Sequence, residues 1–364
     1  MPVASRSPTE RDSDVRGDHP TLEAVAAHAG VSRATVSRVV NGTAGVRPEL
    51  RERVKASVAA LGYVPNAAAR NLVTRRTGAV AVVIAEPETR VFADPFFARQ
   101  LRGISRTLSA HDTQLLLMLL EQRADYERIG RYLAGGHVDG TLMFSLHNDD
   151  PLPGIAAASG LPTVFGGRPG WAGAERQAGL LYVDTDNRDG ARQAVRHLRA
   201  RGRRRIAVIT GPLDQTSASD RLDGYLDALG RRAPDPDLHA RGDFTVEGGA
   251  RAMAWLLDRS PAAAARPDAV FAGNDLMATG ALRTLRERGL RVPEDVAVVG
   301  YDDLEPAAAW SQPSLTTVRQ DVERMGELMA GLLLRRLGRV DGPDGQAPPE
   351  PVVTPARLVV RGSA

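Results

Sequence analysis

The sequence predicts two architectures in one chain of 364 residues: a small all-α helix-turn-helix module at the amino end, then an α/β core of two doubly wound parallel-sheet lobes. Three observations predict it. Residues 21–62 carry a helical apolar period punctuated by glycines, residues beyond 77 carry short apolar runs alternating with amphipathic stretches, and positive charge is concentrated in the first of these regions.

Residues 1–18 are rich in Ser, Pro, Arg and Asp without periodicity and read as a disordered tail. They lack the apolar core of a secretory signal, and no later run approaches the length of a membrane span, so a soluble, cytoplasmic protein is expected. The first module is placed at 19–64. In "TLEAVAAHAG" Thr21 is a helix cap, Leu22, Val25, Ala26 and Ala29 share one face, and Gly30 is the stop. In "VSRATVSRVVNG" Ser32 caps a second helix with Val36, Val39 and Val40 as its buried stripe. A third helix runs through "ELRERVKASVAALG" behind Pro48, with Leu50, Val54, Val58 and Leu61 inward, and ends at Gly62. Residues 65–77 read as a hinge helix and linker: "AAARNL" spans barely two turns and is marginal alone in water, so its order has to come from a partner.

Beyond residue 77 the runs "GAVAVVIAE", "QLLLMLLEQ", "VDGTLMFS", "LPTVFGG", "RIAVITG", "AVFAGN" and "VAVVGYDD" read as strands separated by helices. Ligands of such sheets bind beyond the carboxyl ends of the strands, where Glu86, Arg168, Gly211, Asn274 and Asp302 fall.

The chain has no cysteine, which excludes disulfides, thiol nucleophiles and thiolate-bound metals. Its seven histidines show no metal-ligand spacing and "GPLDQTSASD" lacks the ending of a phosphate loop; neither an enzymatic constellation nor a cofactor or metal site is expected. Lys55 is the sole lysine, and the preference for arginine is first of all a coding bias. From 19 to 77, Arg33, Arg38, Arg47, Arg51, Arg53, Lys55, Arg70, Arg75 and Arg76 stand against Glu23, Glu49 and Glu52. That is 9 − 3 = +6 in a chain of net +3, leaving −3 elsewhere. A basic module on a near-neutral body points to a polyanion partner for the module alone.

On the second helix, Arg33, Ala34, Ser37 and Arg38 are exposed when the valines are hidden. Arginine donates bidentately to guanine in the major groove, and Ala34 suits a thymine methyl. Thr21, Ser32, Thr35 and Asn41 suit phosphate oxygens, which position a protein without reading sequence. The competing reading is a small bundle with a solvated basic face.

"TLEAVAAHAGVSRATVSRVVNG", "LGYVPNAAARNL", "GNDLMATGAL" and "VAVVGYDD", in that order over residues 20–361, resemble the lactose-repressor (LacI/GalR) family of bacterial transcription regulators. The resemblance implies base contacts from residues 33, 34 and 38, and a hinge helix that folds when two subunits meet on DNA. It places Leu72 as a minor-groove wedge, with Asn66, Ala69 and Arg70 near the backbone; the alternative for Leu72 is an ordinary buried helix position. It implies a periplasmic-binding-protein-like core at 78–364 with an effector cleft between lobes. Crossovers are expected near 185–187, 309–312 and 338–341, giving lobe 1 as 78–184 and 311–338 and lobe 2 as 187–309 and 341–362. Cleft residues carried over by motif are Asp94, Phe96, Phe97, Arg168, Arg221, Phe244, Asn274 and Asp302, a set suited to a mono- or oligosaccharide. Each has a plainer reading: Phe96 and Phe97 as core, Asp303 as a helix cap, Arg168 and Arg221 as interlobe ion pairs with Asp94 or Asp302. The stretch "GGRPGWAGAE" departs from the family's commoner acidic residue after the "LPTVFGG" strand, and Gly166 and Gly167 leave room for a large group.

The implied function is a transcriptional regulator, most simply a repressor, binding a pseudopalindromic operator as a homodimer under control of a small sugar. No leucine-heptad tail follows "RLVVRGSA", which favours a dimer, and "DPFFARQLRGISRTL" is an expected interface helix. The rival reading is a solute-binding protein with an incidental amino-terminal segment.

Overall fold

The computed structural model describes residues 20–40, 42, 45–64, 76–170, 179–259, 265–305, 308, 309, 311–341 and 348–364. Asn41, Asn66, Ala69, Arg70 and Leu72, and with them the expected hinge helix, lie outside these residues. The chain divides into two compact units at residues 77 and 78.

In the first unit, helices α1 (Leu22–Ala29), α2 (Arg33–Val40) and α3 (Pro48–Leu61) follow the expected punctuation. Thr21 Oγ1 accepts the Ala24 N–H at 3.2 Å and Ser32 Oγ accepts the Thr35 N–H at 3.2 Å, satisfying first-turn donors that helices leave orphaned. Gly30 and Gly62 end α1 and α3 in the left-handed region, at φ 62° and 63°. Val25, Val36 and Val54 are fully buried at the centre, with Leu22, Val39, Val40, Val58 and Leu61 packed around them. Leu50, expected inward, is only half-buried; Tyr63 joins the cluster instead. Arg53, exposed on α3, also ties the helices together: its guanidinium donates to the Ala29 and Gly30 carbonyls at the end of α1.

The second unit contains two six-stranded sheets. The first is built from β1 (Ala79–Ile84), β2 (Gln114–Leu119), β3 (Gly140–Phe144), β4 (Thr163–Gly166), β5 (Leu181–Thr185) and β11 (Val352–Thr354), in the order β11-β5-β4-β3-β1-β2. All its pairings are parallel. On β1, Val80, Val82 and Ile84 face a core with Ile104, Leu108, Met329 and Leu333. Ala81 and Val83 face another with Ile129, Leu133 and Met143. Burial on both faces is why the strand reads as a continuous apolar run. The helices of this lobe are α4 (Glu88–Ala93), α5 (Pro95–Ser109), α6 (Arg123–Ala134), α7 (Leu152–Ser159) and α12 (Val322–Arg336). Helix α5 lies so close to α12 that a Cβ on Gly103 would sit 2.0 Å from the Glu323 carbonyl oxygen.

The second sheet comprises β6 (Ile206–Thr210), β7 (His239–Arg241), β8 (Ala269–Ala272), β9 (Ala297–Asp302), β10 (Thr316–Arg319) and β12 (Arg357–Val359), in the order β12-β10-β9-β8-β6-β7. Only β12 is antiparallel to its neighbour among the pairings described. Helices α8 (Asn187–Ala200) and α9 (Thr216–Leu229) supply the core on one face. Helices α10 (Val246–Asp258) and α11 (Asp275–Glu287) supply it on the other.

The chain passes between lobes after β5, as the sequence suggests. The other two passages fall later than expected: β10 belongs to the second sheet and β11 to the first, so the crossings lie after Arg319 and after Thr354 rather than at 309–312 and 338–341. Short strands such as β10 and β11 carry too few residues for their periodicity to reveal which sheet they join. No helix among the described residues is long and apolar enough to cross a membrane.

Candidate functional site

Two sites are built by these elements. On α2, burial of Val36 turns Arg33, Ala34 and Arg38 outward, with Thr35 and Ser37 half-buried beside them. Arg33 Nε lies 3.0 Å from Glu23 Oε1 across α1 and α2, both side chains well exposed. Such a pair contributes about 0–1 kcal/mol, so Arg33 exchanges this carboxylate for another acceptor at little cost. The Ser32 and Thr35 hydroxyls meet at 2.9 Å.

In the second unit a cavity opens between the lobes at the carboxyl ends of both sheets. Asp94, Phe96, Phe97, Arg221, Phe244, Asn274 and Asp302 all line it; Arg168 does not. Phe97, 1% exposed, is both a core residue and part of the lining, stacked 6.2 Å from Phe144 and edge-on to Phe96 at 5.5 Å. Asp94 caps α5 by accepting the Phe96 N–H at 2.9 Å. Burial raises its carboxyl above the ordinary range.

Arg221, 6% exposed on α9, is the most constrained cation of the lining. Its Nε donates to Asn187 Oδ1 at 2.9 Å, Nη1 to the Gly273 carbonyl at 2.5 Å, and Nη2 lies 3.7 Å from Asp302 Oδ1. The guanidinium carbon sits 3.7 Å above the Tyr301 ring. Asp302 accepts from Gln320 Nε2 at 2.5 Å and ends β9 at φ 111°. Burial pushes its carboxyl up to about 7; Arg221 opposes that rise and Asp94 adds to it. Phe244, at φ 63°, lays its ring where a Cβ on Gly211 would be 2.1 Å from the ring carbon Cζ. Asn274 holds that loop: Nδ2 donates to the Phe244 carbonyl at 3.0 Å while Oδ1 accepts the Met277 N–H at 2.9 Å. Positive φ at Ser145, Phe244, Asp302 and Asp303 concentrates backbone strain around one cavity.

Sequence reasoning missed several lining residues. Arg90, one turn before Asp94, pairs with Glu86 at 2.5 Å and lies 5.4 Å from the Phe244 ring of the other lobe. Gln100, Asp184, Asn187, Gln215 and Gln320 also line the cavity. No motif flags them: Arg90, Gln100 and Asn187 read as solvated positions of amphipathic helices, Asp184 lies on β5, Gln215 and Gln320 lie in strand-to-helix connections, and contacts distant in sequence bring them to the cavity.

Arg168 stands at the rim, donating to Asp220 at 2.6 and 2.8 Å while Thr216 Oγ1 donates to its carbonyl at 2.7 Å. It forms an interlobe pair, but with Asp220 rather than Asp94 or Asp302. Arg221 pairs with Asp302 inside its own lobe. Asp303 is not a helix cap; Arg319 and Arg361 flank its carboxylate at 2.5 and 2.6 Å. Further interlobe bonds run from Gln215 Nε2 to Glu86 at 3.0 Å and between His147 Nδ1 and Asp214 at 2.7 Å.

The Glu86 carboxylate, 3.8 Å from Nε2, with Asp214 adding to it against desolvation, raises the His147 imidazole to about 9. A raised pKa contributes stability that is complete below the ordinary value of 6.5 and is lost as pH rises through 9. The melting temperature of the core should therefore decline between pH 6.5 and 9, and His147→Gln should flatten that decline in calorimetric scans. An undiminished slope in the variant would assign the dependence elsewhere.

Residues 21–66 match the family model of bacterial regulatory proteins, lacI family, and residues 195–364 match a periplasmic binding protein-like domain. The chain is 50% identical over 324 residues to the HTH-type transcriptional regulator CelR of Thermobifida fusca, covering 88% of this chain and 93% of the relative. A structure of a transcriptional regulator CelR–cellobiose complex superposes with TM-score 0.71 at 46% identity, over 95% of this chain and 100% of the other. A lac repressor dimer bound to operator and the anti-inducer ONPF superposes with TM-score 0.80 at 30% identity, over 95% and 99%. These relatives are regulators, not solute carriers or enzymes. The chain belongs to the lacI family of bacterial regulatory proteins.

Proposed function

We propose that the protein is a cytoplasmic, sequence-specific transcriptional repressor that binds a pseudopalindromic operator as a homodimer and responds to a sugar of the cellobiose class held between its lobes. The observation that carries this reading is the cavity itself. It brings an arginine, two carboxylates and an amide of separate elements within reach of phenylalanine rings, the mixture of donors, acceptors and apolar faces that a polyol requires. Both lobes contribute, so a bound sugar changes the balance between open and closed arrangements and thereby DNA affinity, provided it binds one arrangement better. Similarity to the cellobiose-bound regulator supports the choice of sugar.

In this reading Arg33, Ala34 and Arg38 read bases from a face they share with Ser37, while Thr21, Ser32, Thr35 and Asn41 touch phosphates. Asn66, Ala69 and Arg70 approach the backbone, and Leu72 wedges into the minor groove. Asp94, Phe96, Phe97, Arg221, Phe244, Asn274 and Asp302 hold the sugar, and Arg168 closes the rim. For the dimer, the exposed Phe92 and the half-buried Leu115 to Leu119 run of edge strand β2 offer an apolar surface on the first lobe, beside the expected helix α5.

Titration calorimetry with cellobiose, glucose and a purine base tests the effector class. Saturable binding of cellobiose that is lost in Asp302→Ala is expected. Binding of the purine alone would overturn the sugar assignment.

A further inference from the structure

Gln100 is 1% exposed, lies on α5, and lines the first-lobe wall of the cavity. Its Nε2 has the Met329 sulfur as partner at 3.1 Å, and its Oε1 has no hydrogen-bond partner among the described residues. A primary amide offers two donors and two acceptor lone pairs, and a thioether is a weak acceptor, so most of this capacity is unused. Leaving an amide in that condition inside an apolar wall is unfavourable, and a leucine there would fill similar space without the penalty.

The surroundings are shaped to admit the amide. A Cβ on Gly166 would lie 3.0 Å from Gln100 Nε2, 3.0 Å from Met329 Sδ and 2.7 Å from Phe144 Cβ, so only glycine lets the amide rest against β4. At the next position, Gly167 has φ 98° and open space where a side chain would stand. The first lobe thus holds a buried amide beside Gly166 and Phe144, next to the open space at Gly167. The second lobe presents its own separate set, Arg221, Asn274 and Asp302.

Resting on the sugar reading above, we propose that Gln100 is a specificity-determining residue for a second sugar ring. Its amide exchanges hydrogen bonds with a hydroxyl of the ring seated on the first lobe, while the other ring is held by the second lobe. Gly167 leaves the volume that the second ring fills. Gln100 therefore makes the site favour a disaccharide over a monosaccharide.

The test is titration calorimetry of the full chain with cellobiose and with glucose, for wild type and Gln100→Leu, alongside thermal unfolding of each. The expected result is a cellobiose Kd raised about tenfold or more in the variant, a glucose Kd changed less than about twofold, and an unfolding temperature equal or higher. A cellobiose Kd unchanged in Gln100→Leu, or both sugars weakened in parallel, would overturn the assignment; an ordered water satisfying the amide produces the first of these. Gln100→Met, which keeps the length of the chain, repeats the comparison if the leucine variant unfolds early. If the wild type binds neither sugar, the carbohydrate reading has failed and this inference with it. If it binds cellobiose and Gln100→Leu binds it equally tightly, only this inference has failed.

Discussion

Arg221→Ala is expected to abolish the response to effector while leaving DNA affinity in its absence unchanged, and to lower the unfolding free energy of the core by roughly 3–5 kcal/mol. The guanidinium is buried, donates to Asn187 and Gly273, stacks on Tyr301 and is the cation nearest Asp302. Its removal leaves the acceptor on Asn187 unpaired and a buried carboxylate without its counter-charge. The loss has a pH signature. Asp302 is raised from 3.8 to about 7, so the wild-type fold takes up a proton there and this group's contribution to stability declines as pH rises across that interval, then levels. Without Arg221 the carboxyl rises further and the decline continues above pH 7. Urea titrations at pH 6 and pH 8.5 should therefore show a larger deficit at the higher pH. Equal deficits, or retained sugar binding, would remove Arg221 from the role assigned to it.

Arg38→Ala is the second large effect. Arg38 stands exposed on the face of α2 opposite Val36, and a bidentate arginine–guanine pair carries about 1–3 kcal/mol of discrimination. Competition between operator and random duplex should show that the variant loses affinity for the operator far more than for random DNA. Equal losses on both would reduce Arg38 to a phosphate contact.

The first module was legible because its information is local. Thr21, Ser32, Gly30 and Gly62 mark helix ends through chemistry that acts within one turn, and Val25, Val36 and Val54 meet as their periods require. The charge count that includes Arg53 does not show that its guanidinium also donates to the end of α1. In the core, long buried strands such as β1 announced themselves, whereas β10 and β11 were assigned to the wrong lobe. The cavity divided in the same way. Residues inside motifs, such as Asn274 and Asp302, were found; Arg90, Gln100 and Gln320 were not, since their burial comes from contacts distant in sequence.

The central claim, that a sugar between the lobes sets affinity for operator DNA, is tested most directly by fluorescence anisotropy of the purified protein on its own upstream duplex, at two salt concentrations, with and without cellobiose. The expected result is tight binding that weakens steeply with salt, as release of counterions from several phosphates requires, and that changes when cellobiose is added. Salt-sensitive binding indifferent to cellobiose would contradict the proposed effector, and no binding to the duplex at either salt would contradict the regulator.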